Sequence, residues 1–239
     1  MLPAPHLRLP LSEPRPLPAA LGRLLRGLAL CLVVVAGFVP AEPKLDRMQQ
    51  LARERYGNAA EETVADWRRM MAQAQEADEV ERLSRVNTFF NRRIAFEDDI
   101  VVWKQPDYWA TPLETMGRAA GDCEDFAIAK YMSLRLLGIP AEKLRLIYVR
   151  ARIGGPQSTI SQAHMVVGYF ATPGGEPLVL DNLIGDVRPA ARRTDLVPVF
   201  SFNSEGLWVG GAATSSADPT ARLSRWRDVL ERMRNEGLQ

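Results

Sequence analysis

Gly121-Asp122-Cys123-Glu124-Asp125-Phe126-Ala127-Ile128-Ala129-Lys130-Tyr131 sets a lone cysteine among three carboxylates, where a glycine ends a loop and an apolar helical pattern begins. From Cys123 to Leu137 the run carries Phe126, Ala127, Ile128, Ala129, Tyr131, Met132, Leu134, Leu136 and Leu137, so it is apolar almost all round. A helix without a polar face is buried on most sides, and Gly138 with Pro140 supplies its stop. The stretch predicts the central helix of the fold, with Cys123 at its N-terminus.

Upstream, residues 96–120 lose helical character. Asp98-Asp99, Pro106 and Pro112 interrupt any long helix, and Trp103, Tyr108 and Trp109 cluster there, which predicts an ordered loop. Trp103 is expected to anchor this loop on the core, and Trp109, nearer to Cys123, is the candidate wall of a substrate groove. Further upstream, Lys44 to Arg93 is rich in Ala, Glu, Arg, Gln and Met. Val64, Trp67, Met71 and Ala74, then Val80, Leu83, Val86 and Phe90, recur at the three- and four-residue spacing of amphipathic helices. Gly57-Asn58 separates a first helix from a second.

Downstream the pattern switches to strands over 144–151, 163–170, 177–183, 197–202 and 207–209. Thr172-Pro173-Gly174-Gly175 has proline and glycine where a type II turn wants them, and so predicts a hairpin. If that turn closes tightly, Asp181 faces Val166 and lies diagonal to His164. A diagonal neighbour on one face is about 7–8 Å away by backbone, within reach of an Asp side chain. Asn203-Ser204-Glu205-Gly206 is a second turn, and Asp218-Pro219 opens a last amphipathic helix through 236. Helices, a helix at a loop junction and then antiparallel strands make an α+β chain. Residues 42–239 read as one domain: a helical part (44–95), a part carrying the chemistry (96–210) and a C-terminal helix (218–236).

The first 41 residues differ from the rest. Arg8, Arg15, Arg23 and Arg26 precede an apolar run from Leu28 to Val39, and Val39-Pro40-Ala41 supplies small residues before Glu42. That is the pattern of a secretory signal peptide, cleaved or retained as an anchor, and it predicts export to the periplasm. Leu28-Ala29-Leu30-Cys31 resembles a lipoprotein acceptor only weakly. Without these residues the chain holds 26 basic and 28 acidic side chains, a net charge of −2 that gives no electrostatic case for nucleic acid.

The same cleavage removes His6 and Cys31 and leaves one cysteine, Cys123, and one histidine, His164. An internal disulfide and a zinc site of several Cys and His ligands are thereby excluded. The thiolate is the nucleophile of cysteine chemistry, and a helix N-terminus lowers its pKa, as would His164 by holding the proton. Asp181 would orient the imidazole. Singly, each of the three also suits a structural place: a small core residue, a satisfied buried histidine, the start of a turn. Asp122, Glu124 and Asp125 work against a thiolate by like charge. Three hard oxygen ligands within four residues suit Ca²⁺, while capping of the helix start is the structural alternative.

Four segments carry a resemblance to a known family: Tyr108-Trp109-Ala110-Thr111-Pro112-Leu113-Glu114-Thr115, the stretch 121–131 itself, Ala163-His164-Met165-Val166 and Leu180-Asp181-Asn182. From about Lys44 to Val209 the chain resembles the bacterial transglutaminase-like cysteine proteinases of the LapG type. The resemblance implies a papain/transglutaminase-like fold, with a helical N-terminal lobe and a nucleophile-bearing helix packed on an antiparallel sheet. It implies a calcium-dependent periplasmic endopeptidase that clips a large surface adhesin near its N-terminus, releasing it and dispersing biofilm. An inner-membrane receptor for cyclic di-GMP is the implied controlling partner. Cys123, His164 and Asp181 fall on the family's triad positions; Asp122 and Glu124 fall on its calcium positions, with Asp125 as a third ligand. The one departure is a long, proline-rich leader. Two other functions share the same cleft: transglutaminase-type acyl transfer to an amine, and a non-catalytic module that binds a partner.

Overall fold

Helix α1 (Leu45–Tyr56) and helix α2 (Asn58–Ala74) are separated by Gly57, whose φ of 92° lies in the left-handed region that glycine alone enters freely. The structure is a computed structural model that describes residues 45–238 apart from 156, 211 and 213, and the expected leader lies outside the described residues. Val64, Trp67, Met71 and Ala74 of α2 are all buried, as their spacing predicts. Asp78 caps α3 (Glu79–Arg93) by accepting the Glu81 N–H at 2.8 Å. Leu83, Val86 and Phe90 of α3 are buried, but Val80 is 58% exposed. At about 100° per residue, Val80 lies roughly 90° from the mean direction of the other three, so it falls off the apolar stripe.

Residues 96–120 are more ordered than the proline count suggests. After β1 (Ala95–Phe96) come two helices, α4 (Asp99–Val102) and α5 (Pro112–Arg118). No long helix forms here, and Pro112 occupies the first position of a short one, where its missing N–H has no partner to lose. Thr111 and Glu114 complete a reciprocal capping box, with Thr111 N–H on Glu114 Oε2 at 2.8 Å and Glu114 N–H on Thr111 Oγ1 at 3.2 Å. β2 (Ala120–Gly121) then pairs in parallel with β1. Glu97 N–H donates to the Gly121 carbonyl at 3.0 Å, so this short ladder brings the Asp98-Asp99 pair back beside the start of the central helix.

That helix, α6 (Cys123–Leu136), is buried from Asp125 through Leu134 and ends at Gly138, φ 85°, with Ile139 N–H on the Leu134 carbonyl. Six strands follow: β3 (Leu144–Arg152), β4 (Ser161–Tyr169), β5 (Leu178–Leu180), β6 (Arg188–Pro189), β7 (Leu196–Phe202) and β8 (Leu207–Val209). They form one antiparallel sheet in the order β6-β5-β4-β3-β7-β8. Gly175 N–H closes the predicted turn on the Thr172 carbonyl at 3.0 Å, and Gly174 sits at the φ of 73° that a type II turn requires. The register is Val167↔Leu180, Gly168↔Val179 and Tyr169↔Leu178, whose continuation sets Asp181 opposite Val166. β5 stops at Leu180, short of the predicted 183, because Asp181 Oδ1 takes the Leu183 N–H that a ladder would have used.

Leu144 and Leu146 of β3 join the main core with α6, while Ile147, Val149 and Ala151 pack with Val166 and Val179 in a second cluster. The C-terminal helix is two helices, not one. Asp218 caps α7 (Pro219–Arg222), the chain turns extended at Leu223, and α8 (Ser224–Glu236) buries Trp226, Val229 and Met233.

Candidate active site

Cys123 is the first residue of α6 and is partly buried. Its thiol donates to Glu124 Oε2 at 2.7 Å and meets the backbone N–H of Met165, the residue after His164 on β4. Among the described residues no hydrogen bond joins the thiol to the imidazole. Burial, then the charge and hydrogen bond of Glu124 and the charge of Asp122, push the thiol well above its ordinary pKa against the Met165 N–H. The predicted lowering by the helix terminus is an effect of about 0.3–1 kcal/mol and is outweighed.

His164 and Asp181 meet as the register predicts, with Nε2 and Oδ1 2.8 Å apart and both side chains buried. Three further groups hold Asp181. Leu183 N–H donates to Oδ1 at 3.0 Å, Asn91 Nδ2 donates to the Asp181 carbonyl at 2.8 Å, and Arg193 Nη2 lies 2.6 Å from Oδ2. That last approach supplies charge more than direction, since Oδ2 has no aligned donor. Burial raises the Asp181 carboxyl, but His164, the Leu183 N–H and Arg193 together hold it down at about 2.

Arg193 is a buried cation that the sequence did not single out. It also grips Asp195 with Nε and Nη2, at 3.0 and 2.8 Å. Its place in an irregular segment between β6 and β7 leaves no local signal. Lys130, further along α6, is buried without a hydrogen-bond partner for Nζ, and burial pushes it down to about 7 against the raising charge of Asp181.

The carboxylates at the head of α6 are arranged differently. Asp122 stands at the N-cap position but makes no capping hydrogen bond, so helix capping does not account for it. Carboxylate oxygens of Asp99, Asp122 and Asp125 lie within 4.8 Å of one another, and Asp122, Cys123 and Glu124 form an overlapping group at the same limit. Asp125 Oδ1 accepts the Ala110 N–H at 2.7 Å, and Asp99 Oδ2 accepts the Tyr108 N–H. The oxygens left over, Asp99 Oδ1, Asp122 Oδ1 and Asp125 Oδ2, are buried and have no partner. Burial first, and then the acids' mutual charge, raises Asp99 to about 6 and Asp122 to about 9; Asp125 is raised well above its ordinary value by burial and the same neighbours. Three orphaned hard oxygens on mutually repelling acids fit a divalent cation. Gly121 belongs to the cradle, since a Cβ there would stand 2.5 Å from Asp125 Oδ2. Asp99 was legible only as half of an acidic pair, because its return to α6 depends on the β1–β2 ladder.

Trp109, the candidate groove wall, is buried and stacks on Phe202 with ring centroids 5.8 Å apart, so it is a core anchor. Its aromatic surface lies inside because its carbonyl and Tyr108 are held by Arg232 from α8. A second stacked aromatic is Tyr148 on β3. It stacks on Phe200 at 5.1 Å, and its hydroxyl is raised by burial and by the charges of Glu124 and Cys123.

A family model described as bacterial transglutaminase-like cysteine proteinase matches residues 54–209. The chain belongs to that family. Among solved structures it is similar to Legionella pneumophila LapG in an EGTA-treated form, with 35% identity, coverage of 79% of this chain and 97% of that one, and a TM-score of 0.69. It is similar to the calcium-bound form of the same protein at 35% identity, 79% and 98% coverage and a TM-score of 0.66. No curated protein sequence matches the chain. The helices and antiparallel sheet are thus the transglutaminase-like protease fold that the resemblance implied. Membership in this cysteine proteinase family makes Cys123 the candidate nucleophile, and the acidic set beside it the candidate metal centre.

Proposed function

We propose that the protein is an exported, calcium-dependent cysteine endopeptidase that cuts the N-terminal region of a large cell-surface adhesin, releasing it and dispersing biofilm. A cyclic-di-GMP-responsive inner-membrane receptor would control it from the periplasmic side. The observation that carries the chemistry is the meeting of the head of α6 with β4: the thiol of Cys123 rests on the Met165 N–H, and the adjacent His164 is locked to Asp181. Support for the substrate and the receptor comes from the likeness to LapG and the resemblance in the four motif segments.

In this reading Cys123 attacks the scissile carbonyl, forming a C–S bond as its proton passes to His164. Nε2 of the ring is taken by Asp181, which leaves Nδ1 for that proton. His164 then gives the proton to the leaving amine, and a water deprotonated by the same ring hydrolyses the acyl-enzyme and restores the thiol. Asp181, charged and flanked by Arg193, fixes the ring and stabilises the imidazolium. Backbone N–H groups at the start of α6 stabilise the oxyanion. Asp99, Asp122 and Asp125 would hold calcium, with Glu124 beside them, and the ion's charge would offset that of the acids.

Purified protein incubated with N-terminal adhesin fragments, with calcium or with EGTA, tests this. Cleavage at one bond is expected with calcium, and loss of cleavage is expected with EGTA or with Cys123→Ala. A Cys123→Ala variant that cuts as well as the parent would sink the mechanism, and a product of summed mass would show acyl transfer to an amine instead.

A further inference from the structure

Arg145 on β3 carries a charge that no acid among the described residues neutralises. It pairs in register with Gly168, four residues beyond His164 on β4, which is about 13 Å of strand. Its guanidinium carbon lies 3.9 Å from the ring centre of Trp208 and 4.7 Å from that of Phe170, so it is flanked by two aromatic rings. Among the described residues it makes no ion pair and no hydrogen bond. Its Nε is buried without an acceptor, and so is Nε1 of Trp208 against it. Burial alone pushes the guanidinium below its ordinary value, with no acid to oppose it.

Beside this cation is a cavity of about 330 Å³, with Arg145 in its wall and Ile147, Phe170, Pro177, Ala190 and Pro198 among its lining. Gly168 makes room for the Ile147 side chain of that lining, since a Cβ there would stand 2.5 Å from Ile147 Cδ1 and displace it. Cys123, His164 and Asp181 do not line it, and nothing in the protease chemistry requires it. The volume lies at the small end of ligand pockets, and an apolar lining with one convergent charged group is the usual composition of such a site.

We propose that this pocket binds a small amphipathic carboxylate, such as a medium-chain fatty acid, with its apolar body among Ile147, Phe170 and Pro198 and its carboxylate on Arg145. A planar guanidinium held between rings presents its donors in a fixed fork that matches a carboxylate, and its unpaired Nε is a donor that such an anion would satisfy. One cation suits a monoanion better than a phosphate dianion.

Titration of octanoate and of 1-octanol into the full chain, followed by calorimetry and tryptophan fluorescence, tests the assignment. Octanoate should saturate one site, with 1-octanol at least about tenfold weaker, because it lacks the charged hydrogen bond. Arg145→Gln should bring octanoate down to the level of 1-octanol and leave 1-octanol unchanged. The proposal is overturned if octanoate does not saturate, if the two ligands bind the parent chain equally, or if Arg145→Gln binds octanoate as the parent does. The comparison of the two ligands on the parent chain decides the matter even if Arg145→Gln does not fold.

Discussion

Asp181 and the acids Asp99 and Asp125 at the head of α6 are buried alike and have opposite electrostatics. Asp181 is 1% exposed and stays charged, because His164, the Leu183 N–H and Arg193 together outweigh its desolvation. Asp125 is 0% exposed and Asp99 5%, yet their neighbours are other acids, and burial wins. Residue type and burial are alike in the two places. What differs is whether the chain supplies the opposite charge: the His164 side is complete in itself, while the acids at the head of α6 have no cation beside them among the described residues.

The largest effect should come from stripping Asp181 of its fixed cation. Arg193→Met leaves a buried carboxylate short of a partner, and the Arg193 and Asp181 side chains are 2% and 0% exposed. Breaking such a pair costs about 3–5 kcal/mol. Urea denaturation should show that loss; a variant as stable as the parent would mean that His164 and the Leu183 N–H suffice.

A smaller effect sharpens the comparison from a third carboxylate between the two extremes. Glu236 at the end of α8 is raised from 4.5 to about 7 by burial and the charge of Glu114, against Arg55 and Arg232. Its folded pKa lies above its unfolded value, so the stability it contributes is fully present below 4.5 and is lost as pH rises through 7. Thermal melts should show a decline on the order of 1 kcal/mol across that window, since partly exposed Arg55 screens the group. Glu236→Gln should flatten it. An identical slope in the variant would assign the decline to other groups.

The parts of the site that were readable in the sequence are those set by local rules. The uninterrupted apolar face predicts α6, and Pro173-Gly174 predicts the turn whose register delivers Asp181 to His164. Cys123 and His164 stand out because the sequence after residue 41 has no others of their kind. What escaped depends on chain returns that no local pattern encodes. Asp99 joins the acidic set only because two residues of parallel strand fold it back, and Arg193 reaches Asp181 from an irregular segment. Two departures are of context: short helices stand where an ordered loop is expected, one of them opened by Pro112, and Trp109 faces the core because Phe202 and Arg232 hold it there. Of the two opposing effects on the thiol legible in the sequence, the like charge of the neighbouring acids outweighs the helix terminus, and burial, which only the fold reveals, is the largest cause.

The claim that the head of α6 is completed by a cation is tested most directly at Asp99, the member that only the fold reveals. Calcium titrated into the EGTA-stripped protein should register a saturable site in a calorimeter, and Asp99→Asn should weaken it by at least about tenfold, or about 1.4 kcal/mol. Unchanged affinity in Asp99→Asn, or no calcium binding by the parent chain, would contradict the assignment of these three acids to a metal.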